Sequence, residues 1–291
     1  MKVLLFGATG MAGSAFRHEL VKRNVQVVGA SRTGSDLTCD IEDENQIARV
    51  MCGDSYDAVI NAAAQIDINK CEQDPLESWK VNAKAVSVIT NLCNELDVPF
   101  LHISTDHFYT YGDNYPHKET DPIFCVNEYA RHKLAAESFA LNYSDALVLR
   151  TSILGKHAKS KRGLVDWAID SLLQQEEIEL FCDAWTSSLD VETFVNYAVE
   201  LFLERNQRGL MNLASSEVYS KEQLIRKLAD MLHIDHSNCL TGSIKRLSNR
   251  PNCLGLDTSV AQKILGKRLP NLDEVCANLA NRYDFDAVNL H

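Results

Sequence analysis

Four apolar residues, Val3 to Phe6, run straight into Gly7-Ala8-Thr9-Gly10-Met11-Ala12-Gly13, and a helical pattern follows from Ser14 to Arg23. No other stretch constrains the fold as much. A short, continuous apolar run reads as a parallel strand buried on both faces. A glycine turn that leads from such a strand into a helix is the context of a dinucleotide fingerprint. Glycines let the backbone approach a pyrophosphate, and the helix N-terminus offers free N–H groups with a partial positive charge. The spacing is GxxGxxG, and a turn with no ligand is the plainer alternative. Between a strand and a helix, at the start of the chain, cofactor binding is favoured.

The same alternation continues. Val25 to Ala30 reads as a second strand, ending in Ser31-Arg32 where an NAD-binding chain usually carries an acidic residue for the ribose hydroxyls. A hydroxyl beside a guanidinium suits a 2′-phosphate, so NADPH is the expected cofactor, with NADH as the alternative. Asp40-Ile41 follows a third short segment, where adenine contacts commonly fall. Asp57 to Asn61 is a further buried strand, and Ala62-Ala63-Ala64 at its end would let a cofactor pack against the sheet edge. Lys80 to Leu96 reads as one long helix, with Asn82 in a structural role. Pro99 to Ile103 delivers Ser104-Thr105-Asp106 to the same edge. The stretch 109–126 holds four aromatics and reads as a lid or substrate loop.

Tyr129 and Lys133 stand four residues apart at the start of a helix, on one face and about one turn from each other. A neighbouring ammonium favours the phenolate and would lower the phenol's pKa toward a useful range. Thr105 at the strand end would hydrogen-bond a substrate carbonyl alongside Tyr129. Lys156 to Arg162 is the one concentrated basic run in an acidic chain; such a run is usually a solvated loop, but this one follows a strand whose end should face the site, where one or two of its groups would suit a pyrophosphate-bearing substrate. Further on, Asp190 is placed near a helix cap, and Leu256-Asp257-Thr258-Ser259 reads as a short strand turning into a capped helix.

Composition narrows the partners. A net charge of −11 argues against general nucleic-acid or anionic-membrane binding. The nine cysteines form no CxxC pair, so neither a zinc site nor a redox dithiol is expected, and reduced thiols in a cytoplasm fit best. The first apolar run is too short and too glycine-interrupted for a signal peptide. No stretch approaches the ~18–20 apolar residues of a membrane span.

Taken in order, the glycine turn, Asn61-Ala62-Ala63-Ala64, Ser104-Thr105-Asp106 and Tyr129-x-x-x-Lys133 resemble an extended short-chain dehydrogenase/reductase. Asp67 to Glu72, Val81-Asn82, Ser104 to Phe108, Arg150-Thr151-Ser152, Thr186 to Asp190 and Arg250-Pro251 to Ser259 are similar to its dTDP-4-dehydrorhamnose reductase branch. The resemblance implies an α/β fold: a Rossmann-type doubly wound parallel sheet with a smaller C-terminal substrate-binding lobe. The division expected is 1–155 with 185–208 returning to it, 156–184 and 209–285 as the substrate lobe, and 286–291 as a tail. It also implies NADPH-dependent reduction of a 4-keto group on a nucleotide-linked deoxysugar. Thr105, Tyr129 and Lys133 take the catalytic positions. Gly7, Gly10, Met11, Ala12, Gly13, Ser31, Arg32, Asp40, Ile41 and Ala62 to Ala64 take the cofactor positions, with Tyr129 and Lys133 also touching the cofactor. On the substrate side stand Asp106, His107, Ile153 and Arg250, with Arg162 from the basic run. No metal is expected, and the resemblance leaves room for a homodimer.

The chain departs from that branch at His107-Phe108-Tyr109, where Tyr-Val-Phe is usual, and at Ile153, where an aromatic is usual. A proline commonly found shortly before the catalytic Tyr is replaced by Cys125 and Val126. Two other readings share the motifs. A sugar-nucleotide dehydratase is disfavoured because His107 follows Asp106 where dehydratases place a second carboxylate, and an epimerase, which recycles a tightly held NAD, because Arg32 favours an exchangeable NADP. A non-catalytic regulatory subunit, like that of methionine adenosyltransferase, is disfavoured by the intact Thr105, Tyr129 and Lys133.

Overall fold

The computed structural model describes residues 1–155, 163–247 and 249–283. The chain begins with β1 (Lys2–Phe6), α1 (Met11–Lys22), β2 (Gln26–Ser31), β3 (Leu37–Thr38), α2 (Glu44–Cys52), β4 (Ala58–Asn61), α3 (Ile68–Gln73), α4 (Pro75–Trp79), α5 (Ala85–Leu96) and β5 (Phe100–Ile103). After a long loop come α6 (Glu128–Ala140), β6 (Ala146–Arg150), β7 (Ile153–Leu154), α7 (Leu164–Leu173), β8 (Ile178–Phe181), β9 (Trp185–Thr186), β10 (Leu189–Asp190), α8 (Val191–Val199) and β11 (Gly209–Asn212). The remainder is β12 (Tyr219–Ser220), α9 (Lys221–Met231), β13 (Cys239–Gly242), β14 (Cys253–Leu254), α10 (Ser259–Leu265) and α11 (Leu272–Ala280).

Seven strands form one parallel sheet in the order β11-β6-β5-β4-β1-β2-β3. Val3 to Phe6, Ala58 to Asn61 and Ala146 to Arg150 are buried throughout, which is why these runs do not alternate with polar residues. The strand order reverses between β1 and β4, and ligands of such sheets bind outside the strand ends at that reversal. Helices cover both faces. On one side α1 packs on α8, with Phe16 and Phe194 edge to face at 6.2 Å. On the other, α5 lies between α2 and α6.

Capping explains most helix starts. Asp43, Asp67, Asp74, Asn127, Asp190 and Ser220 each accept backbone N–H groups at the first turn of α2, α3, α4, α6, α8 and α9. Several sequence expectations shift. The first helix starts at Met11, three residues early, because Gly10 itself is its N-cap. The helix read from Lys80 starts at Pro75, and a π-helical turn over Lys80–Lys84 joins α4 to α5. Thr258 makes no side-chain cap; the Asp257 carboxylate accepts the Ser259 N–H at 2.8 Å instead. β11 pairs with β6, so residues 209–212, expected in the substrate lobe, are a strand of the main sheet. A short apolar run of that kind gives no sign of which sheet it joins.

The stretch expected to be a lid is tied down along much of its length. Tyr109 is fully buried and stacks on His117 at 4.1 Å. The His117 N–H donates to the Gly255 carbonyl at 2.9 Å, and Asn212 Nδ2 donates to the His117 carbonyl at 2.9 Å. Tyr115 and Phe124 stay exposed.

Candidate active site

The sheet's C-terminal edge carries two adjoining pockets that share Gly10, Ala62 to Ala64 and Ile66. The first is shaped for a dinucleotide. Gly7 sits at φ +75°, and a Cβ there would fall 2.6 Å from the Ala63 nitrogen, so only glycine fits. Gly13 does not line either pocket. A Cβ on it would stand 2.1 Å from the Gly7 carbonyl, so its role is to let α1 close onto the turn. The Ser31 hydroxyl accepts the Thr9 N–H at 3.3 Å. Arg32, Asp40 and Ile41 line the far end together with Lys70 and Glu42. Lys70 is paired with Glu77 at 2.9 Å. Free helix N–H groups, a glycine cradle and Arg32 fit a phosphorylated dinucleotide.

The wall between the pockets is held from behind. Asn82 accepts the Gln65 N–H and donates to the Gln65 carbonyl, both at 2.9 Å, and donates to Ser78 Oγ at 3.2 Å. Asn82 is buried and bridges backbone groups, the structural role expected of it.

The second pocket gathers Met11, Ala12, Thr105, Asp106, His107, Tyr129, Lys133 and Ile153, all expected from the sequence, with Asn61, Ser104, Thr151 and Ser152. Asn127 Oδ1 caps α6 through the Ala130 N–H at 2.8 Å and so helps fix where the helix presents Tyr129 and Lys133. Tyr129, Lys133 and Glu137 follow one another along that face, all buried. Lys133 Nζ donates to the Ile103 carbonyl at 2.6 Å and lies 3.1 Å from His102 Nε2. Behind it, Glu137 is clamped by Arg150, Nη2 to Oε2 at 2.8 Å, and accepts the Ser104 hydroxyl at 2.5 Å.

Burial governs the charges here. It holds the Tyr129 phenol well up; a hydrogen bond with Thr105 draws it partly back, while Asp106 and Cys71 push it further up. The expectation that Lys133 lowers this phenol is therefore not met. Lys133 is turned toward His102 and the Ile103 carbonyl, and the phenol stays protonated. Burial brings Lys133 down to about 7 against the pull of Glu137. It raises the Asp106 carboxyl to about 7, and it lowers the His107 imidazole to about 3, helped by Lys221 and Arg250.

At the mouth, the His107 and Tyr129 rings meet edge to face at 5.5 Å. Asp106 Oδ2, His107 Nδ1 and Thr151 Oγ1 are buried with no protein partner, which leaves them for a ligand. Arg250 does not line the pocket; its Nη2 donates to Asn69 at 2.8 Å, and its Nη1 is buried and unpartnered. Arg162, with the rest of the basic run, lies outside the described residues. Sequence reading missed Lys221, at the start of α9, whose charge acts on both Asp106 and His107. It also missed Lys70 and His102. Nothing local marks Lys221, because only the tertiary fold brings the start of α9 near the loop after β5. Among the described residues no group of three or more His, Cys, Asp or Glu is arranged to hold a metal, and no helix is long and apolar enough to cross a membrane.

Comparison with known proteins agrees with this arrangement. The chain is 26% identical to the probable low-salt glycan biosynthesis reductase Agl14 of Haloferax volcanii, over 96% of this chain and 97% of that protein. It is 25% identical to the dTDP-4-dehydrorhamnose reductase of Escherichia coli K12, over 93% and 94%. Its fold matches the crystal structure of the Bacillus anthracis dTDP-4-dehydrorhamnose reductase in complex with NADP, with a TM-score of 0.86 at 18% identity, covering 97% and 99% of the two chains. The model of one family, the RmlD substrate binding domain, matches residues 1–285. This chain, with its seven-stranded Rossmann-type sheet and the Tyr129–Lys133 helix at its edge, therefore belongs to the RmlD substrate binding domain family.

Proposed function

We propose that this chain is an NADPH-dependent reductase of a nucleotide-linked 4-keto-6-deoxy sugar, acting on its keto carbon. One observation carries the reading: Thr105, Tyr129 and Lys133 face a pocket that shares a wall with the dinucleotide cradle. The names of the two reductases similar over nearly the whole chain support it. Gly7, Gly10, Ser31, Arg32 and Ala62 to Ala64 would hold the dinucleotide, which would supply the hydride. Tyr129 enters the reaction protonated, as burial dictates, and gives its proton to the developing alkoxide. Thr105 hydrogen-bonds the same oxygen and polarises the carbonyl. Lys133 would hold the nicotinamide ribose and, as an ammonium, would place a positive charge beside the Tyr129 oxygen as it gives up its proton. Asp106, His107 and Ile153 meet the sugar, and Lys221 and Arg250 add positive charge toward its phosphates. A substrate lobe made from 163–184 and the chain after Asn212, and a reducing cytoplasmic setting, complete the reading.

His107 after Asp106 argues against a dehydratase, which needs a second carboxylate there. The assembled Thr105, Tyr129 and Lys133 argue against a non-catalytic subunit. The test is a cofactor-oxidation screen of NADPH and NADH against a panel of nucleotide-linked 4-keto sugars. NADPH oxidation with at least one of them is expected. No turnover with any, or a stoichiometric NAD retained through purification, would overturn the assignment.

A further inference from the structure

The hydrogen bonds around Lys133 do not close if it is an ammonium. Its Nζ lies 3.1 Å from His102 Nε2, and the other ring nitrogen, Nδ1, lies 3.5 Å from Asn61 Nδ2. The Asn61 amide has only one orientation, because its Oδ1 accepts the Ala63 N–H at 3.0 Å. The group turned to His102 is therefore an NH2, which can only donate. His102 Nδ1 must accept, and in a neutral imidazole the proton then sits on Nε2. The ring is neutral: it is 1% exposed, and burial pushes its pKa well down. Its Nε2–H points at Lys133 Nζ. An ammonium has no lone pair to receive it. A neutral amine has one, and keeps one N–H for the Ile103 carbonyl at 2.6 Å and another for the pocket.

We propose that His102 is a positioning residue that holds Lys133 as a neutral amine in the cofactor-free enzyme, so that NADPH binding takes up one proton at Nζ. The inference rests on the reading of the pocket as a dinucleotide site. The proton comes from solvent, and the charge gained at Nζ faces the anionic cofactor. The other titratable and charged groups around the pair are Tyr129 and Glu137 on α6, Arg150 from β6, which holds Glu137, and Asp106 from the loop after β5. Glu137 alone would favour the ammonium, but Arg150 already spends that carboxylate. The complex carries one more proton than its parts, so NADPH affinity falls as pH rises, by up to tenfold per pH unit. The fall starts where free Lys133 loses its proton, at about 7, and is absent below it.

Two measurements on the intact enzyme test this. In cofactor-free, 15N-histidine-labelled protein, the His102 ring signal, identified by its loss in His102→Gln, is expected to report a proton on Nε2. Titration calorimetry with NADPH at about pH 8, in buffers of different ionisation enthalpy, is expected to show uptake of nearly one proton; the 2′-phosphate, with its second pKa near ~6, is already ionised there. Asn61→Asp gives Nδ1–H an acceptor, frees Nε2 to accept from an ammonium, and should reduce the uptake to near zero, which loss of packing alone would not do. A proton on Nδ1 in the free wild-type enzyme, or wild-type binding with no proton uptake, overturns the proposal. Failure of NADPH to bind at all overturns the cofactor reading and the uptake with it, while the histidine signal still decides the resting state.

Discussion

Glu137→Gln removes the negative half of a buried ion pair. The Glu137 and Arg150 side chains are each 3% exposed. Arg150 reaches Glu137 through Nε at 2.9 Å and Nη2 at 2.8 Å. Its Nη1 continues to the Tyr109 hydroxyl at 2.9 Å and the Glu119 carbonyl at 3.2 Å, and its guanidinium lies 5.0 Å over the Phe108 ring. The pair thus ties α6, one turn behind Lys133, to β6 and to the loop that carries Thr105. Glutamine keeps the shape but leaves the guanidinium buried without a counter-charge. Removing one partner of such a pair costs ~3–5 kcal/mol, most of it from the charge left behind. At ~2–4 °C per kcal/mol for a large domain, the melting temperature should fall by roughly 6–20 °C. Urea unfolding can be followed by tryptophan fluorescence, since Trp79 packs on Phe139 of α6 at 6.3 Å. The expected result is a loss of ~3–5 kcal/mol with the urea slope unchanged. Replacing both partners, Glu137→Leu with Arg150→Met, should recover much of that loss, because no charge is then stranded. A Glu137→Gln loss below ~1 kcal/mol, the worth of an exposed pair, would refute the reasoning.

Three further outcomes follow from the same geometry. Arg32→Ala should raise the KM for NADPH by ~10–100-fold, the loss of one charged hydrogen bond of ~1.5–3 kcal/mol, while the KM for NADH stays within about twofold; equal effects on both would remove Arg32 from the 2′-phosphate. Gly13→Ala puts a methyl 2.1 Å from the Gly7 carbonyl and should cost ~1–3 kcal/mol in thermal unfolding along with weaker NADPH binding, whereas a neutral result would mean that α1 can give way. Asp106 has its carboxyl raised from 3.8 to about 7, so the folded state holds a proton that the unfolded chain releases; the stability tied to that proton is full below 3.8 and lost as pH rises through about 7. Asp106→Asn should therefore be more stable than wild type at about pH 8 by on the order of 1–4 kcal/mol, and no difference in denaturation between low and high pH would contradict this.

Much of the site was legible because its chemistry is tied to local patterns. The strand–glycine–helix start, the Ala62 to Ala64 strand end and the Tyr129–Lys133 spacing each have a physical reason that operates within a few residues. The structure brings all of these to one sheet edge. What escaped notice depends on distant packing. Lys221 acts on the site only because the tertiary fold brings the start of α9 near Asp106 and His107. His102 looked like an ordinary strand residue, since its partners, Asn61 and Lys133, come from β4 and α6. A glycine motif does not say which of its members touches a ligand and which lets a helix pack, so the close approach of Gly13 to the Gly7 carbonyl is not legible in the sequence. The Tyr129 phenol was expected to be lowered because a Lys stood nearby; burial outweighs that neighbour, and burial is not visible in spacing. The pairing of 209–212 with β6 is not legible in the sequence because an apolar run names no pairing partner.

The central claim is that Tyr129 gives the proton on which reduction depends. It is tested most directly by single-turnover oxidation of bound NADPH by a nucleotide-linked 4-keto sugar in wild type and Tyr129→Phe. The variant is expected to bind NADPH as wild type does and to lose ~10²–10⁴-fold in the hydride-transfer rate. Near-wild-type turnover in Tyr129→Phe would contradict the account.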